Sequence, residues 1–178
     1  EIRTPMNGIM GMSDLLLESK LGDEQRDFVE TINRSAQALM VIINDILDFS
    51  KIESGKVELE SIDFDLHEVV EDTASSLAAN ASAKGLELLV DISRTTAQRV
   101  VGDPGRLRQV LSNLIGNAIK FTEHGEIVVR VSPSFGGKMR FEVIDSGIGI
   151  DKETQGKLFT AFTQADASTT RRFGGTGL

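Results

Sequence analysis

The residues best suited to chemistry are polar side chains that recur along one stretch of the chain. Arg106, Gln109, Asn113, Asn117 and Lys120 follow one another at spacings of three, four, four and three residues, which places them on one face of a helix. Carboxamide oxygens can ligate Mg²⁺ together with phosphate oxygens, and a lysine ammonium can reach phosphate as a point charge. The face predicts a phosphate and magnesium site; an ordinary solvated helix surface is the alternative.

A glycine-rich string, DSGIGI at residues 145–150, follows this helix along the chain. Asp145 ends an apolar strand, so we expect its carboxylate to enter a partly buried site. There an adenine amino group could supply a charge-assisted hydrogen bond of about 1.5 to 3 kcal/mol. Gly147 and Gly149 would let the backbone turn sharply and approach the base. A plain turn after a strand would explain the string equally well.

A second glycine-rich string, GGTGL, follows a segment with the composition of a lid. We expect Phe159 and Phe162 to anchor this segment, residues 163–173, which is rich in Ser, Thr and Ala and contains Arg171 and Arg172. Backbone N–H groups in such a string can bind phosphate. Those expected to do so belong to Gly174, Gly175, Thr176 and Gly177.

The composition excludes several other classes of protein. The chain has 178 residues, 40% of them hydrophobic, which suffices for a packed core. The net charge of -8 argues against binding to nucleic acid or to an anionic membrane surface. With no cysteine and two histidines a zinc site is excluded in practice, and a P-loop motif is missing. The chain starts without methionine and stops inside a glycine motif, so we expect an excised fragment.

The first part of the chain has the pattern of a helical hairpin, in which we expect Gly22 to end the first helix and Asp23 to be the N-cap of the second. Seven residues of the second helix alternate spacings of four and three and form a heptad seam. They are Phe28, Ile32, Ser35, Leu39, Ile42, Ile46 and Phe49. Further apolar residues flank the seam, and two helices cannot bury so wide a face. We therefore expect two copies to pair into a four-helix bundle; packing on the rest of the same chain is the alternative.

Residues 51–56 (KIESGK) form a short polar segment with one glycine, which predicts a hinge or a domain boundary. After them helices and strands mix. Asp65 with Glu68 predicts a capping box, and Asp103 before Pro104 predicts a helix start. The helix that starts at Pro104 is expected to bury one face, which comprises Leu107, Val110, Leu111, Leu114, Ile115 and Ala118. Strands are predicted at 86–92, 126–132 and 139–145, and a short helix near residue 151. This mixture is typical of an α+β two-layer sandwich.

Five segments in this order resemble the motifs of bacterial sensor histidine kinases of the two-component type. EIRTPMNG resembles the H box, in which a phospho-accepting histidine directly precedes Glu-Ile-Arg-Thr-Pro. Residues 113–120 resemble the N box, DSGIGI the G1 box, Phe159 with Phe162 the F box, and GGTGL the G2 box. The resemblance implies a dimerisation and phosphotransfer hairpin at residues 1–55. It also implies an ATP-binding domain of the histidine kinase and gyrase ATPase type at residues 56–178.

The resemblance also implies roles for individual residues. Glu1 would act as general base toward the imidazole, and Thr4 would position water for dephosphorylation of the partner regulator. Asn117 would ligate Mg²⁺ with help from Asn113, and Lys120 would contact phosphate. Asp145 would bind the adenine amino group. Further nucleotide-binding residues would be Gly147, Gly149, Ile150, Phe162, Arg172, Gly175, Thr176, Gly177 and Leu178.

The implied activity is autophosphorylation of a histidine by ATP, followed by transfer to an aspartate of a response-regulator receiver domain. We expect a homodimer in the cytoplasmic portion of a membrane-bound or soluble sensor kinase, with no nucleic acid partner and no direct membrane contact. The sequence departs from the family pattern because no histidine precedes Glu1. A non-kinase ATPase of the same fold and an ATP-binding dimeric scaffold are the alternatives.

Overall fold

The computed structural model describes residues 2–156, apart from the side chains of Asp45 and Glu153. These residues divide into two compact units, with the division between Val57 and Glu58. The first unit contains two helices, α1 (Arg3–Glu18) and α2 (Asp23–Glu53). No helix in residues 2–156 combines the length and apolar character that a membrane span needs.

The hairpin is held by a narrow internal contact between α1 and α2. Met6 of α1 and Val29 and Ala36 of α2 are buried in it. Asn33 is buried as well, and its Nδ2 donates a hydrogen bond of 2.6 Å to Asp14 Oδ1. Most of the predicted heptad seam stays exposed in the single chain, including Phe28 at 60% and Ile32 at 50%. The helices therefore meet through a line of residues other than the seam.

Two details of the hairpin differ from the prediction. Gly22 is the N-cap of α2, and its N–H donates to Gln25 Oε1 at 3.1 Å, so Asp23 already lies inside the helix. The helix also continues to Glu53, so the first three residues of the predicted hinge, Lys51 to Glu53, are helical. Gly55, with a φ of 65°, follows the helix end. A helix interior tolerates Lys, Ile and Glu well, which explains why polarity alone misplaced this boundary.

The second unit is an α+β sandwich. Its elements are β1 (Ile62–Asp65), α3 (Leu66–Ala83), β2 (Glu87–Ile92), β3 (Arg99–Gly102), α4 (Pro104–Phe121), β4 (Glu126–Pro133), a 3₁₀ turn (Phe135–Gly137), β5 (Met139–Asp145) and α5 (Lys152–Gln155). A three-stranded sheet has the order β2-β4-β5, with β2 parallel and β5 antiparallel to β4. The short strands β1 and β3 pair separately and antiparallel.

Helices α3 and α4 cover one face of the three-stranded sheet. The side chains of Ile127, Val129 and Val131 alternate along β4 and point to this face, where each is fully buried. Val70 of α3 and Ile115 of α4 are fully buried in the same cluster. The core of the unit therefore lies between one sheet and two helices, as predicted for a two-layer sandwich.

Capping aspartates fix where the helices of this unit begin. Asp65 Oδ1 accepts from Glu68 N–H at 3.1 Å, and Asp103 Oδ1 accepts from Arg106 N–H at 2.9 Å. These backbone N–H groups are the main reason that the pKa of each carboxyl group lies below its usual range. Both starts were predicted from the sequence, and Asp151 caps α5 in the same way.

The predicted apolar face of α4 is correct only in part. Leu111, Ile115 and Ala118 are buried, and Leu107 packs at the edge of the core. Val110 and Leu114, however, are 54% and 42% exposed, while the unpredicted Ile119 is buried. The buried stripe is narrower than the apolar stripe, because one sheet covers only one side of the helix. Strand β3 was not predicted; it has four residues and pairs with the distant β1.

Candidate active site

The predicted polar face of α4 is present and points away from the core. Asn113 and Asn117 are exposed, and neither carboxamide makes a hydrogen bond to another described residue. Arg106 and Gln109 are half-buried, and Arg106 Nη1 donates to Gln109 Oε1 at 2.7 Å. The face therefore presents two amide oxygens, free for a cation, next to cationic side chains. Carboxamide oxygens are ligands that suit Mg²⁺.

Lys120 ends this face in the last turn of α4. Its Nζ lies 4.9 Å from the centre of the Phe121 ring, within the range of a cation–π contact. The side chain is half-buried, so part of its aliphatic stem is packed while the charge stays near the surface. A cation at this place can meet an anionic ligand that lies along the polar face.

Lys84, which follows α3, stabilises the same end of α4. Its Nζ donates to Ile119 O at 2.7 Å and to Lys120 O at 3.0 Å. These carbonyl groups belong to the last turn of α4 and have no partner within the helix. A positive charge there also complements the helix dipole. Sequence reasoning did not find this residue, because its partners are 35 and 36 positions away.

Asp145 ends β5, as predicted, but its carboxylate is exposed in the structure and not partly buried. Asp145 pairs with Ile127 of β4 at the last position of β5, which is an outer strand of the three-stranded sheet. Asp145 Oδ1 accepts a hydrogen bond from Gly147 N–H at 2.9 Å, and this bond stabilises the turn that follows β5. The carboxylate thus has a fixed orientation and an oxygen that remains open to a ligand.

Two glycines, Gly147 and Gly125, allow the loop after β5 to pack closely against the end of α4 and the turn that follows it. A Cβ atom at position 147 would lie 2.6 Å from Phe121 O, and Ile148 N–H donates to that same oxygen at 3.3 Å. A Cβ atom at Gly125 would clash with Ser146, whose hydroxyl lies 3.1 Å from His124 O and 3.2 Å from Glu126 N. The loop after β5 and the turn before β4 therefore pack closely, because each has a glycine at the point of contact.

Gly147 and Gly149 serve different purposes. Gly149 has a φ of 70°, a conformation that side chains disfavour, so glycine is the favoured residue there. Gly147 is not among the glycines with positive φ. Its lack of a side chain allows close packing on Phe121 and Thr122, and the backbone bends at Gly147, as predicted.

The contacts of Gly147 and Ile148 with Phe121, and of Gly125 with Ser146, form an interlock between two of the predicted site elements. It holds the last turn of α4, with Lys120, against the loop that starts at Asp145. A cleft of about 280 Å³ beside it is lined by Glu123, His124, Ser146, Gly147 and Ile148. Neither Asp145 nor the polar face of α4 lines this cleft, so it is not the predicted nucleotide pocket.

The remaining predicted residues fall elsewhere. Thr4 is exposed in the first turn of α1, in the other unit. Ile150 follows the loop and is 51% exposed. Several predicted residues lie outside the described part of the chain: Glu1, Phe162, Arg172, Gly175, Thr176, Gly177 and Leu178.

Two family descriptions match the chain. Residues 1–55 match the His Kinase A (phospho-acceptor) domain, and residues 102–178 match the histidine kinase-, DNA gyrase B- and HSP90-like ATPase. The two matches follow one another in the order of the two structural units. The predicted fold of the second unit, a sandwich of the histidine kinase and gyrase ATPase type, is thereby confirmed.

Known proteins are similar over the whole chain. The signal transduction histidine-protein kinase BarA of Escherichia coli is 50% identical, and the sensor histidine kinase GacS of Pseudomonas protegens is 49% identical. Each comparison covers 100% of this chain and 20% of the relative, so the chain spans about a fifth of their length. The crystal structure of full-length ShkA in complex with AMPPNP is 35% identical, with a TM-score of 0.82. That match covers 99% of this chain and 36% of ShkA.

Both domain matches, the identity to two sensor kinases and the shared fold lead to one conclusion: the chain belongs to the sensor histidine kinase family.

Proposed function

We propose that this chain is the core of an ATP-dependent protein-histidine kinase. It transfers the γ-phosphoryl group of ATP to a histidine of the kinase, and then passes that group to an aspartate of a response-regulator receiver domain. The observation that carries the proposal is the interlock, which holds Lys120 and Asp145 at one edge of the α+β unit. It joins the amide and ammonium groups of α4 to a fixed carboxylate. We assign residues 1–55 to the hairpin and 56–178 to the ATP-binding domain.

The nucleotide-binding roles follow from the chemistry of each group. Asp145, oriented by Gly147 N–H, accepts a hydrogen bond from the adenine amino group. Lys120 attracts phosphate. Asn117 holds Mg²⁺ with help from Asn113, and when bound the cation neutralises charge on the phosphate oxygens. The exposed amide oxygens of α4 fit such an ion, because they have no described partner to give up.

Further residues complete the nucleotide site. Gly149 and Ile150 line the base pocket next to Asp145. By the resemblance to the family, Phe162 would anchor the lid and Arg172 would lie within it, while Gly175, Thr176, Gly177 and Leu178 would close over the phosphates; these residues lie outside the described part of the chain.

Phosphoryl transfer needs a base and an acceptor. In the family pattern a histidine stands directly before Glu1. The Glu1 carboxylate takes the proton from one imidazole nitrogen, while the other nitrogen attacks the γ-phosphorus and ADP leaves. In a separate reaction Thr4 orients the water that hydrolyses the phosphoaspartate of the regulator and releases inorganic phosphate. Because the reaction consumes ATP and serves a receiver domain, we place this segment of the protein in the cytoplasm.

The exposed seam of α2 supports homodimerisation. Five large apolar side chains of the seam are at least 37% exposed: Phe28, Ile32, Leu39, Ile42 and Ile46. A groove of about 320 Å³ along the hairpin is lined by residues such as Met6, Ile32 and Leu39. A second copy would bury this stripe in a four-helix bundle. The same bundle presents the histidine to the receiver domain.

The experiment that tests the function uses full-length protein with γ-labelled ATP and Mg²⁺. We expect protein-bound label that is lost in acid and survives alkali, as phosphohistidine does. Asn117→Asp, which disturbs the cation site, should abolish labelling, whereas His124→Gln, at an exposed histidine outside the site, should label normally. Bound ATP without acid-labile label would instead favour a scaffold or a non-kinase ATPase.

A further inference from the structure

Thr122, the residue directly after α4, has a hydroxyl group that residues 2–156 leave without a partner. Its side chain is fully buried, and Oγ1 makes no hydrogen bond to any described residue. Its backbone is satisfied, because Thr122 N–H donates to Ala118 O at 3.0 Å. Buried hydroxyl groups nearly always have a partner, since water cannot replace it there. Among the described residues this hydroxyl is therefore a donor without an acceptor, and it is open to a group that residues 2–156 do not supply.

The position of the hydroxyl indicates what that group is. A Cβ atom at position 147 would lie 2.8 Å from Asp145 Oδ1 and 3.0 Å from Thr122 Oγ1. The hydroxyl and the carboxylate thus approach the same side of Gly147. Asp145 Oδ1 already accepts from Gly147 N–H at 2.9 Å, but a carboxylate oxygen has a second lone pair. The Thr122 hydroxyl is a buried donor on this side of Gly147 that no described group uses.

We propose that Thr122 is a positioning residue for base recognition, acting through Asp145; this rests on the proposed function, in which Asp145 binds the base. When a 6-aminopurine nucleotide binds, the Asp145 carboxylate turns slightly, and its Oδ1 accepts from both Gly147 N–H and the Thr122 hydroxyl. The other carboxylate oxygen is then fixed toward the 6-amino group. Charge-assisted hydrogen bonds of this kind are short and directional, so Thr122 contributes to selectivity for adenine nucleotides.

The test compares two nucleotides on full-length protein by calorimetry: ATP, and purine riboside triphosphate, which lacks the 6-amino group. Thr122→Val keeps the shape of the side chain and removes the hydroxyl. We expect it to weaken ATP binding about tenfold, or about 1.4 kcal/mol, and to leave binding of the analogue within twofold. Thr122→Ser, which keeps the hydroxyl, should retain the selectivity of the wild type.

A matched control comes from the same core. Thr73 of α3 is also fully buried, but its hydroxyl donates to Val69 O at 2.6 Å. Thr73→Val should therefore leave both nucleotide affinities unchanged. The pair Thr122→Val and Asp145→Asn should be non-additive for ATP, because the first acts through the second. Without nucleotide, Thr122→Val should melt no lower than the wild type, since the Thr122 hydroxyl has no partner among the described residues to lose.

Each other outcome has a definite meaning. Unchanged ATP affinity in Thr122→Val, or an equal loss for both nucleotides, would overturn the positioning role. So would a loss of selectivity in Thr122→Ser equal to that in Thr122→Val. If the valine variant does not fold, Thr122→Ala, which also lacks the hydroxyl, takes its place in this comparison. If wild-type protein binds neither nucleotide, the proposed function itself fails.

Discussion

The hairpin and the α+β unit bury their apolar side chains to very different extents. In the α+β unit, Ile115, Ile127 and Val129 are fully buried between one sheet and two helices. In the hairpin, most of the long apolar seam of α2 is exposed, and the internal contact relies on a few residues such as Val29 and Ala36. The α+β unit therefore carries its own core, whereas the hairpin needs a second surface. We expect stability of the first to be independent of protein concentration, and that of the second to depend on it.

The largest effect should come from the core of the α+β unit. Ile115→Ala should lower the free energy of unfolding of this unit by about 3 kcal/mol, because it leaves a cavity among fully buried neighbours. Leu114→Ala, at the adjacent and 42% exposed position, should cost less than about 1 kcal/mol. Urea unfolding at two protein concentrations measures both. Equal losses in the two variants would contradict the burial pattern of α4.

A substitution in the seam of α2 should weaken dimerisation and leave the stability of the α+β unit unchanged. Leu39→Glu places a charge in the proposed dimer contact and removes apolar burial of about 1.5 to 3 kcal/mol per copy. We expect the dimer dissociation constant to rise at least about 100-fold, with the α+β unit unfolding as before. Val41→Glu, at an exposed apolar position off the seam, is the control. Sedimentation analysis that finds both variants dimeric would argue against the seam as the interface.

The same contrast explains how far the sequence could predict the fold. Local signals were enough for the start of α4, because Asp103 and Pro104 act within one turn, and for β5, whose predicted bounds match the structure. The buried side of α4 was harder to predict, because Val110 and Ile119 are both apolar. Only the position of the sheet decides that Ile119 is buried and Val110 is exposed.

The site shows the same limit. Asn113 and Asn117 were recognised from their spacing, which the helix preserves. Lys84 and Thr122 were missed, since nothing near them in the sequence marks their partners. The contact of Gly147 with Thr122 joins residues from two elements and exists only after the sheet has formed.

The interlock should be the next most sensitive feature. Gly147→Ala should destabilise the α+β unit by about 1 to 3 kcal/mol, because its Cβ atom would press on Phe121 O and force the loop away. The displaced Asp145 should also weaken ATP binding. Gly116→Ala, inside α4 with nothing within 4 Å of its Cβ position, should instead raise stability by up to about 1 kcal/mol. Thermal melts and calorimetry test both; a neutral Gly147→Ala would show that the loop adapts freely.

The contact between Lys84 and the end of α4 should have a smaller effect. Lys84→Met keeps the aliphatic stem and removes the hydrogen bonds to Ile119 O and Lys120 O, so we expect a loss of about 1 kcal/mol. Lys138→Met, at an exposed lysine in the turn between β4 and β5, should change stability by less than about 0.5 kcal/mol. Amide exchange at the last turn of α4 should rise in the first variant alone. The same exchange in both variants would rule out a cap.

The smallest effect should be the acid sensitivity of a helix cap, a feature of the α+β unit. The hairpin helices start at Ile2 and Gly22 without such a carboxylate. The pKa of Asp65 is lowered, chiefly by Glu68 N–H and next by the Gln98 amide. The stability from this group is therefore present above the unfolded pKa, near 3.8, and is lost as the pH falls through the lower folded value. Asp65→Asn keeps an oxygen for Glu68 N–H without titrating, so we expect similar urea midpoints at pH 7 and a shallower decline below pH 4. Parallel curves for the two proteins in acid would mean that the cap does not sense pH.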